Sequence, residues 1–423
     1  MTVPRRRGPT APRGTVEADS CDFSARRDGP VFRRDRLTAL GYTSLAAYAY
    51  CLYALAPFLT LLRRDLGFSY LVMSLHSTTF AAGSVLSGLF FTQALRRLGR
   101  HRLFWLSVIG TAGGVVLLAV GHTVAFTLAA TALLGLTGPM LQTSSLALLS
   151  VHHSAHRDRA LVEANATASL AAVLAPAVIG SLGGSDSGWR AGLVLPVVAL
   201  ALLYALGRGR PLPDQEGPAA GTVRPGRLPG RFWLRSAALG AAAGIEFGTV
   251  FYGAPLLVSR LDLSISHAAT LMTLFAVGIL IGRTAGSRLV NDQGRAPRLL
   301  AGSLLLTAAG LGVFWSSHEL VLSSAALLIA GAGVANLFPL SFSHAIAAAP
   351  DRSDLAAARN QLVVNSAIMA APLALGALSD RVGVSSAFAV QAVLIVAALL
   401  LVTVDRPDSS GGAGRNPLPA DEG

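Results

Sequence analysis

Apolar residues along this 423-residue chain come in long stretches and do not alternate with polar ones. From Leu37 to Val404 only short polar breaks separate the stretches. This pattern fits neither the period of two of a half-buried strand nor the single apolar stripe of a water-soluble helix. A bilayer core of about 30 Å needs about 20 apolar residues per helix, and twelve stretches reach that length. Spans are predicted near 37–62, 69–95, 103–121, 124–150, 160–183, 190–207, 232–259, 265–291, 298–316, 319–348, 354–379 and 384–404. The first is too long for a signal peptide's apolar core and runs into Arg63 and Arg64 without a small-residue cleavage site, so it is expected to remain as a span. The fold expected is all-α and polytopic.

Composition sharpens this picture. The chain is 52% hydrophobic and only 13% charged, against about 25% charged in an average soluble domain, which excludes an ordinary cytosolic enzyme. All 34 basic residues are Arg, the usage expected of a GC-rich, bacterial genome. The net charge of +12 raises nucleic acid as a partner. The arginines, however, lie in the breaks between spans and form no surface stripe interleaved with aromatics, so no nucleic-acid partner is expected. Cys21 and Cys51 are the only cysteines, too few for a disulfide framework or a paired-cysteine metal site. No cofactor and no metal are expected.

The arginines also set an orientation. With the N-terminus inside, 28 of them fall in cytoplasmic segments and five, Arg63, Arg64, Arg190, Arg260 and Arg381, in outer loops; Arg283 lies within a span. The positive-inside rule then places both termini in the cytoplasm, and the expected location for such a bacterial chain is the inner membrane.

Residues 208–231 are rich in Pro, Gly and Arg and divide six spans from six. The expected organisation is a cytoplasmic tail over 1–36, a bundle over 37–207, a linker over 208–231, a second bundle over 232–404 and a tail over 405–423. The two bundles repeat one another. LRRLGRHR around Gly99 answers NDQGRAPR around Gly294, 195 residues on, while Pro176 and Gly180 answer Pro372 and Gly376, 196 on. Asp158 and Asp354, before spans five and eleven, keep the same register. Duplicated halves are the pattern expected where a binding site lies between two rocking bundles.

Twelve spans, the basic linker and the Gly-Arg loops after spans two and eight resemble the major facilitator superfamily of secondary transporters, over almost the whole chain. The family's loop signature is roughly GxLxDRxGRR. Here Thr92 to Arg102 reads TQALRRLGRHR, with Arg96 at the Asp position, and the second copy reads SRLVNDQGRAPR, with Asn291 there and Asp292 one later. GALSDRVG (Gly376–Gly383), Gly188-Trp189-Arg190 and GAGVANLFP (Gly331–Pro339) are also similar to family patterns. The resemblance implies transport of a small-molecule solute by alternating access, by a monomer embedded in the lipid bilayer. It implies gating roles for Arg97, Gly99 and Arg100 in the first loop and Asp292, Gly294 and Arg295 in the second. It also implies a solute site among polar groups of the cavity-lining spans: Tyr48, Tyr53, Gln142, Asn165, Tyr252, Asn336, Gln361 and Asn365, with Tyr53, Asn336 and Asn365 preferred.

Of the 22 acidic residues, Glu246 alone sits deep in a span. Fourteen residues into span seven it is about 21 Å along the helix, near the midplane, where a charged group costs at least about 2.5–3.5 kcal/mol. It is therefore expected to face a cavity or a partner and to take up and release protons, or to bind solute; bracing of helix packing is the competing role. Arg283 can pair with Glu246, bind an anionic solute or snorkel to the headgroups. His152, His153 and His156 are read as a solvated loop and not a zinc site. Prolines at 57, 139, 176, 255, 339 and 372 permit kinks. The chain contains no GxxxxGK[ST] phosphate loop and no converging nucleophile and base, so neither a pump nor an enzyme is expected; a non-transporting sensor on the same scaffold is the alternative.

Overall fold

The computed structural model describes residues 32, 34–153, 156–184, 188–209, 211–212, 227–289 and 296–404. They form α1 (Arg36–Leu66), α2 (Tyr70–Val120), α3 (Val124–His152), α4 (Arg157–Leu182), α5 (Val194–Gly207), α6 (Gly230–Leu261), α7 (Ile265–Leu289), α8 (Ala296–Ser316), α9 (Leu320–Val334), α10 (Leu337–Ile346), α11 (Ser353–Val382), α12 (Val384–Ala387) and α13 (Ala389–Val404). No strand occurs among the described residues. Among the described residues eleven helical segments are long and apolar enough to cross a bilayer, with α9 and α10 in one and α12 and α13 in another.

Two of the twelve predicted spans are both in α2. Its 51 residues would reach about 76 Å if straight, more than twice the hydrocarbon core. They do not run straight: Gly83 packs on Ala132 and Leu136 of α3, while Gly114, some thirty residues later, packs on Leu134 of the same helix. The reversal is at Gly99, where φ 74° and ψ 162° leave the helical region, a conformation glycine adopts without a Cβ clash. In predicted span ten the regular helix lapses at Ala335 and Asn336, between α9 and α10, although both residues keep right-handed helical angles. Pro339, four residues after Ala335, has no N–H to continue the ladder there. Span six begins not as an α-helix but as a 3-10 turn, Gly188–Leu193.

Helices α1–α5 pack together, as do α6–α13, and the two groups meet chiefly through α2 with α11 and α4 with α7. The internal repeat is visible in the packing. Gly135 of α3 lies against the Phe80 carbonyl of α2, and Gly331 of α9 lies against the Phe275 carbonyl of α7. In each pair a Cβ would sit 2.0–2.1 Å from that oxygen, so the close helix crossing depends on the glycine.

One end of the bundle is arginine-rich. There Gly207 packs on Leu40 and Trp105, and Arg34 makes a bidentate pair with Glu163, 2.8 Å to each oxygen. Asp35 caps α1 by accepting from the Thr38 N–H at 2.9 Å. Burial pushes the Asp35 carboxyl up, but hydrogen bonds from Thr38 and His152 outweigh it and hold the pKa below the usual value. Burial, then the neighbouring His152, lowers that of His153. Of the HHSAH segment, expected as a solvated loop, His152 and His153 are drawn onto the start of α1: His152 bonds Asp35 at 2.7 Å and His153 meets the Thr38 hydroxyl at 2.6 Å.

At the opposite end Arg190 gathers three segments. It pairs with Asp65 at 2.7 Å and donates to the Ala119 and Gly121 carbonyls. Trp189 beneath it is buried against Phe58.

Candidate functional site

A cavity of about 620 Å³ lies between the two groups of helices, within the roughly 300–1,000 Å³ of small-molecule sites. Its walls are Tyr48, Leu52 and Tyr53 of α1, α2 between Phe80 and Phe91, Pro139, Gln142 and Thr143 of α3, Glu246 and Phe247 of α6, Arg283 of α7, Phe338 of α10, and α11 between Ala358 and Ile368. These positions run from mid-span toward the arginine-rich end, where Gly88, Leu89, Ala358 and Gln361 are exposed.

Glu246 reaches this cavity because of the glycines around it. Gly244 faces Leu394 and Ala371, and Gly248 faces Gln391 and Leu375, so both turn toward α11 and α13. A residue midway between them points the other way, since each step along a helix turns about 100°. Glu246 is 8% exposed and accepts a hydrogen bond from the Tyr53 hydroxyl at 3.3 Å. Tyr53 belongs to the first half and Glu246 to the second, so this bond crosses the boundary between the halves. Arg283 lines the same wall and is exposed. It stands within electrostatic reach of Glu246 and Tyr53, but no ion pair within 4 Å joins it to Glu246 among the described residues.

The expected polar residues divide. Tyr48, Tyr53, Gln142, Gln361 and Asn365 line the cavity with Glu246 and Arg283, and Gln361 approaches Asn365 at 3.5 Å. Three others do not line it. Asn165 bonds the Leu161 carbonyl one turn back in its own helix. Tyr252 is fully buried among Ser74, Tyr70 and Gly376. Asn336, a preferred candidate, donates to the Gly282 carbonyl at 3.0 Å and fills the space beside Gly286. It ties the junction of α9 and α10 to α7. Asn336→Ala is accordingly expected to lower thermal stability by about 1 kcal/mol and to leave solute affinity unchanged, as read by melting and binding of the same preparation. Ser84, Ser87 and Thr143 also line the cavity; the sequence carried no signal for them, because serine and threonine are frequent in all the spans.

Of the loop residues, Gly99 forms the reversal described above, Arg97 is exposed and Arg100 half-buried. Asp292, Gly294 and Arg295 lie outside the described residues.

At the end opposite the cavity mouth the halves are closed. The Asp380 carboxylate on α11 accepts from the backbone N–H groups of Tyr70 and Leu71, each at 2.9 Å. It thereby caps α2 across the boundary and sits at the positive end of that helix. Ser74 donates to the Pro372 carbonyl at 2.7 Å and shares a hydrogen bond with Tyr252. Gly376 lets the two helices touch, for a Cβ there would lie 2.3 Å from the Ser74 hydroxyl. Between α4 and α7, Gly180 receives Thr270 and Gly183 receives Ser266 in the same way.

The profile of the Major Facilitator Superfamily matches residues 41–349 and 236–421. An uncharacterised MFS-type transporter of Yersinia pestis is 29% identical over 145 residues, 34% of this chain and 38% of that protein, so the match spans well under half of the relative's length. Among solved structures, a bacterial homologue of the human lysosomal transporter Spinster, inward-facing and occupied, aligns with TM-score 0.69 at 16% identity, covering 88% of this chain and 97% of that one. A mutant of the nucleoside transporter NupG aligns with TM-score 0.69 at 13% identity, covering 87% and 98%. At these identities the structural likeness speaks for the fold. With a profile matched across nearly all the spans and helices arranged like those of known transporters, the chain is a multi-pass membrane protein that belongs to the Major Facilitator Superfamily.

Proposed function

We propose that this protein is a secondary transporter that moves a small organic solute by alternating access and couples it to protons through Glu246. The arginine-rich end is the cytoplasmic face of the bacterial inner membrane by the positive-inside rule. The conformation described is then inward-facing, with the cavity open to the cytoplasm and the outer end closed at Asp380 and Gly376. The two helical bundles rock about the cavity, and one chain suffices because it supplies every wall.

The observation that carries this reading is the Tyr53–Glu246 hydrogen bond across the boundary between the halves. An ionised Glu246 accepts this bond; a protonated one loses its charge and gains a donor, which changes how the halves are held at the middle of the membrane. A buried carboxylate that merely braced packing would need no open cavity at its side. Arg283, with Tyr53 and Asn365, supplies donors for an anionic or strongly polar group of the solute. Arg283→Ala is expected to weaken solute binding about tenfold or more, the scale of one lost charged hydrogen bond. Unchanged binding would assign the guanidinium to the lipid headgroups.

The test is reconstitution into vesicles with an imposed pH gradient, screening solutes in both directions with the wild type and Glu246→Gln. Gradient-driven movement by the wild type supports proton coupling, and its absence for every solute that binds removes it.

A further inference from the structure

We propose that Asp35, His152 and His153 form a binding site for a divalent transition metal of the zinc type, at the arginine-rich end of the first half. One carboxylate oxygen of Asp35 and one ring nitrogen from each histidine lie within 4.8 Å of one another. Two imidazoles and one carboxylate suit zinc, nickel, cobalt or copper, whereas magnesium and calcium favour all-oxygen shells.

The surroundings prepare these donors. Asp35 Oδ1 is already occupied by the Thr38 N–H at 2.9 Å and the Thr38 hydroxyl at 2.8 Å. This fixes the carboxylate and leaves Oδ2 turned toward His152, 2.7 Å from its Nε2. Such outer hydrogen bonds orient the ligands of a metal site. Adjacent residues on a helix point about 100° apart and do not ordinarily converge. Here His153 has left the helix, at φ −110° and ψ 44°, and its Nε2 turns in to the Thr38 hydroxyl at 2.6 Å. The Phe32 ring, 4.7 Å from that of His153, covers one side.

Zinc bonds of about 2.0–2.2 Å require ligand atoms somewhat over 3 Å apart. Binding therefore replaces the proton between His152 and Asp35, widening their 2.7 Å contact, and draws His153 Nε2 from Thr38 to the metal. The His152 and Asp35 side chains are 25% and 44% exposed, so water completes the shell and the ion exchanges with solution. A bound ion would fasten the start of α1 to the end of α3, which the chain itself links only through 117 residues of separation.

The experiment titrates untagged full-length protein in nanodiscs with Zn²⁺ by calorimetry and with Co²⁺ by visible absorption. One Zn²⁺ per chain is expected, with no heat from Mg²⁺, and the Co²⁺ complex shows ligand-field bands. His152→Gln and His153→Gln each weaken Zn²⁺ binding about tenfold or more and together abolish the Co²⁺ bands, while His101→Gln leaves both intact. Absence of saturable Zn²⁺ binding in the wild type overturns the proposal. So does undiminished binding in the double variant.

Discussion

Vesicles carrying Glu246→Gln are expected to accumulate no more solute under a pH gradient than protein-free vesicles do, while still exchanging labelled for unlabelled solute when no gradient is applied. Glutamine keeps the length of the side chain, and its carbonyl oxygen still accepts the Tyr53 hydroxyl now bonded at 3.3 Å. What it loses is the ability to take up and release a proton. Exchange needs only that the loaded cavity face alternate sides; accumulation needs a step in which the proton crosses too. The two readouts therefore separate coupling from folding and from binding. Gradient-driven accumulation by the variant at the wild-type level would exclude Glu246 from coupling, and loss of both activities would instead assign it to solute binding or to the fold.

The second large effect is expected at Gly376. A valine there places Cβ 2.3 Å from the Ser74 hydroxyl and 2.7 Å from the Tyr252 hydroxyl and the Tyr70 carbonyl. Two of these belong to α2, across the seam between the halves, so the clash is relieved by parting them. Overpacking costs about 1–3 kcal/mol, a shift of about five- to 150-fold between two global states. A cysteine at Ser266, 9% exposed and seated against Gly183 in the neighbouring seam, reports the opening through its rate of reaction with an aqueous thiol reagent. With Cys21 replaced and Cys51 buried in the core, that rate is expected to rise in Gly376→Val. Asp380→Asn, which removes only the charge facing the start of α2, is expected to act in the same direction and more weakly. An unchanged rate in Gly376→Val would mean that the seam is not the closed outer gate.

The spans were legible because lipid imposes one rule on all of them: about 20 apolar residues, whichever neighbour they face. The depth of Glu246 was legible for the same reason. The direction a side chain takes around its helix was not, since it depends on which helix packs alongside. Asn336 and Asn365 have the same chemistry in neighbouring spans, yet Asn336 bonds the Gly282 carbonyl while Asn365 lines the cavity. Asp380 stood out in GALSDRVG, but its partners Tyr70 and Leu71 precede it by more than 300 residues, and no local pattern names them. His152 and His153 are visible as a cluster but, in a loop with no cysteine nearby, read as solvated; Asp35, which His152 bonds, lies 117 residues away in the chain.

The lapse in hydrogen bonding at Ala335 and Asn336 distinguishes the second half from the first. In the first half the corresponding span is one helix, α3, unbroken through Pro139. In the second both residues keep right-handed helical angles, but Pro339 offers the Ala335 carbonyl no donor, and the ten-residue stretch beyond, α10, carries Phe338 into the cavity wall. A missing rung is where a helix bends at least cost, so this wall of the cavity is the more easily deformed of the two.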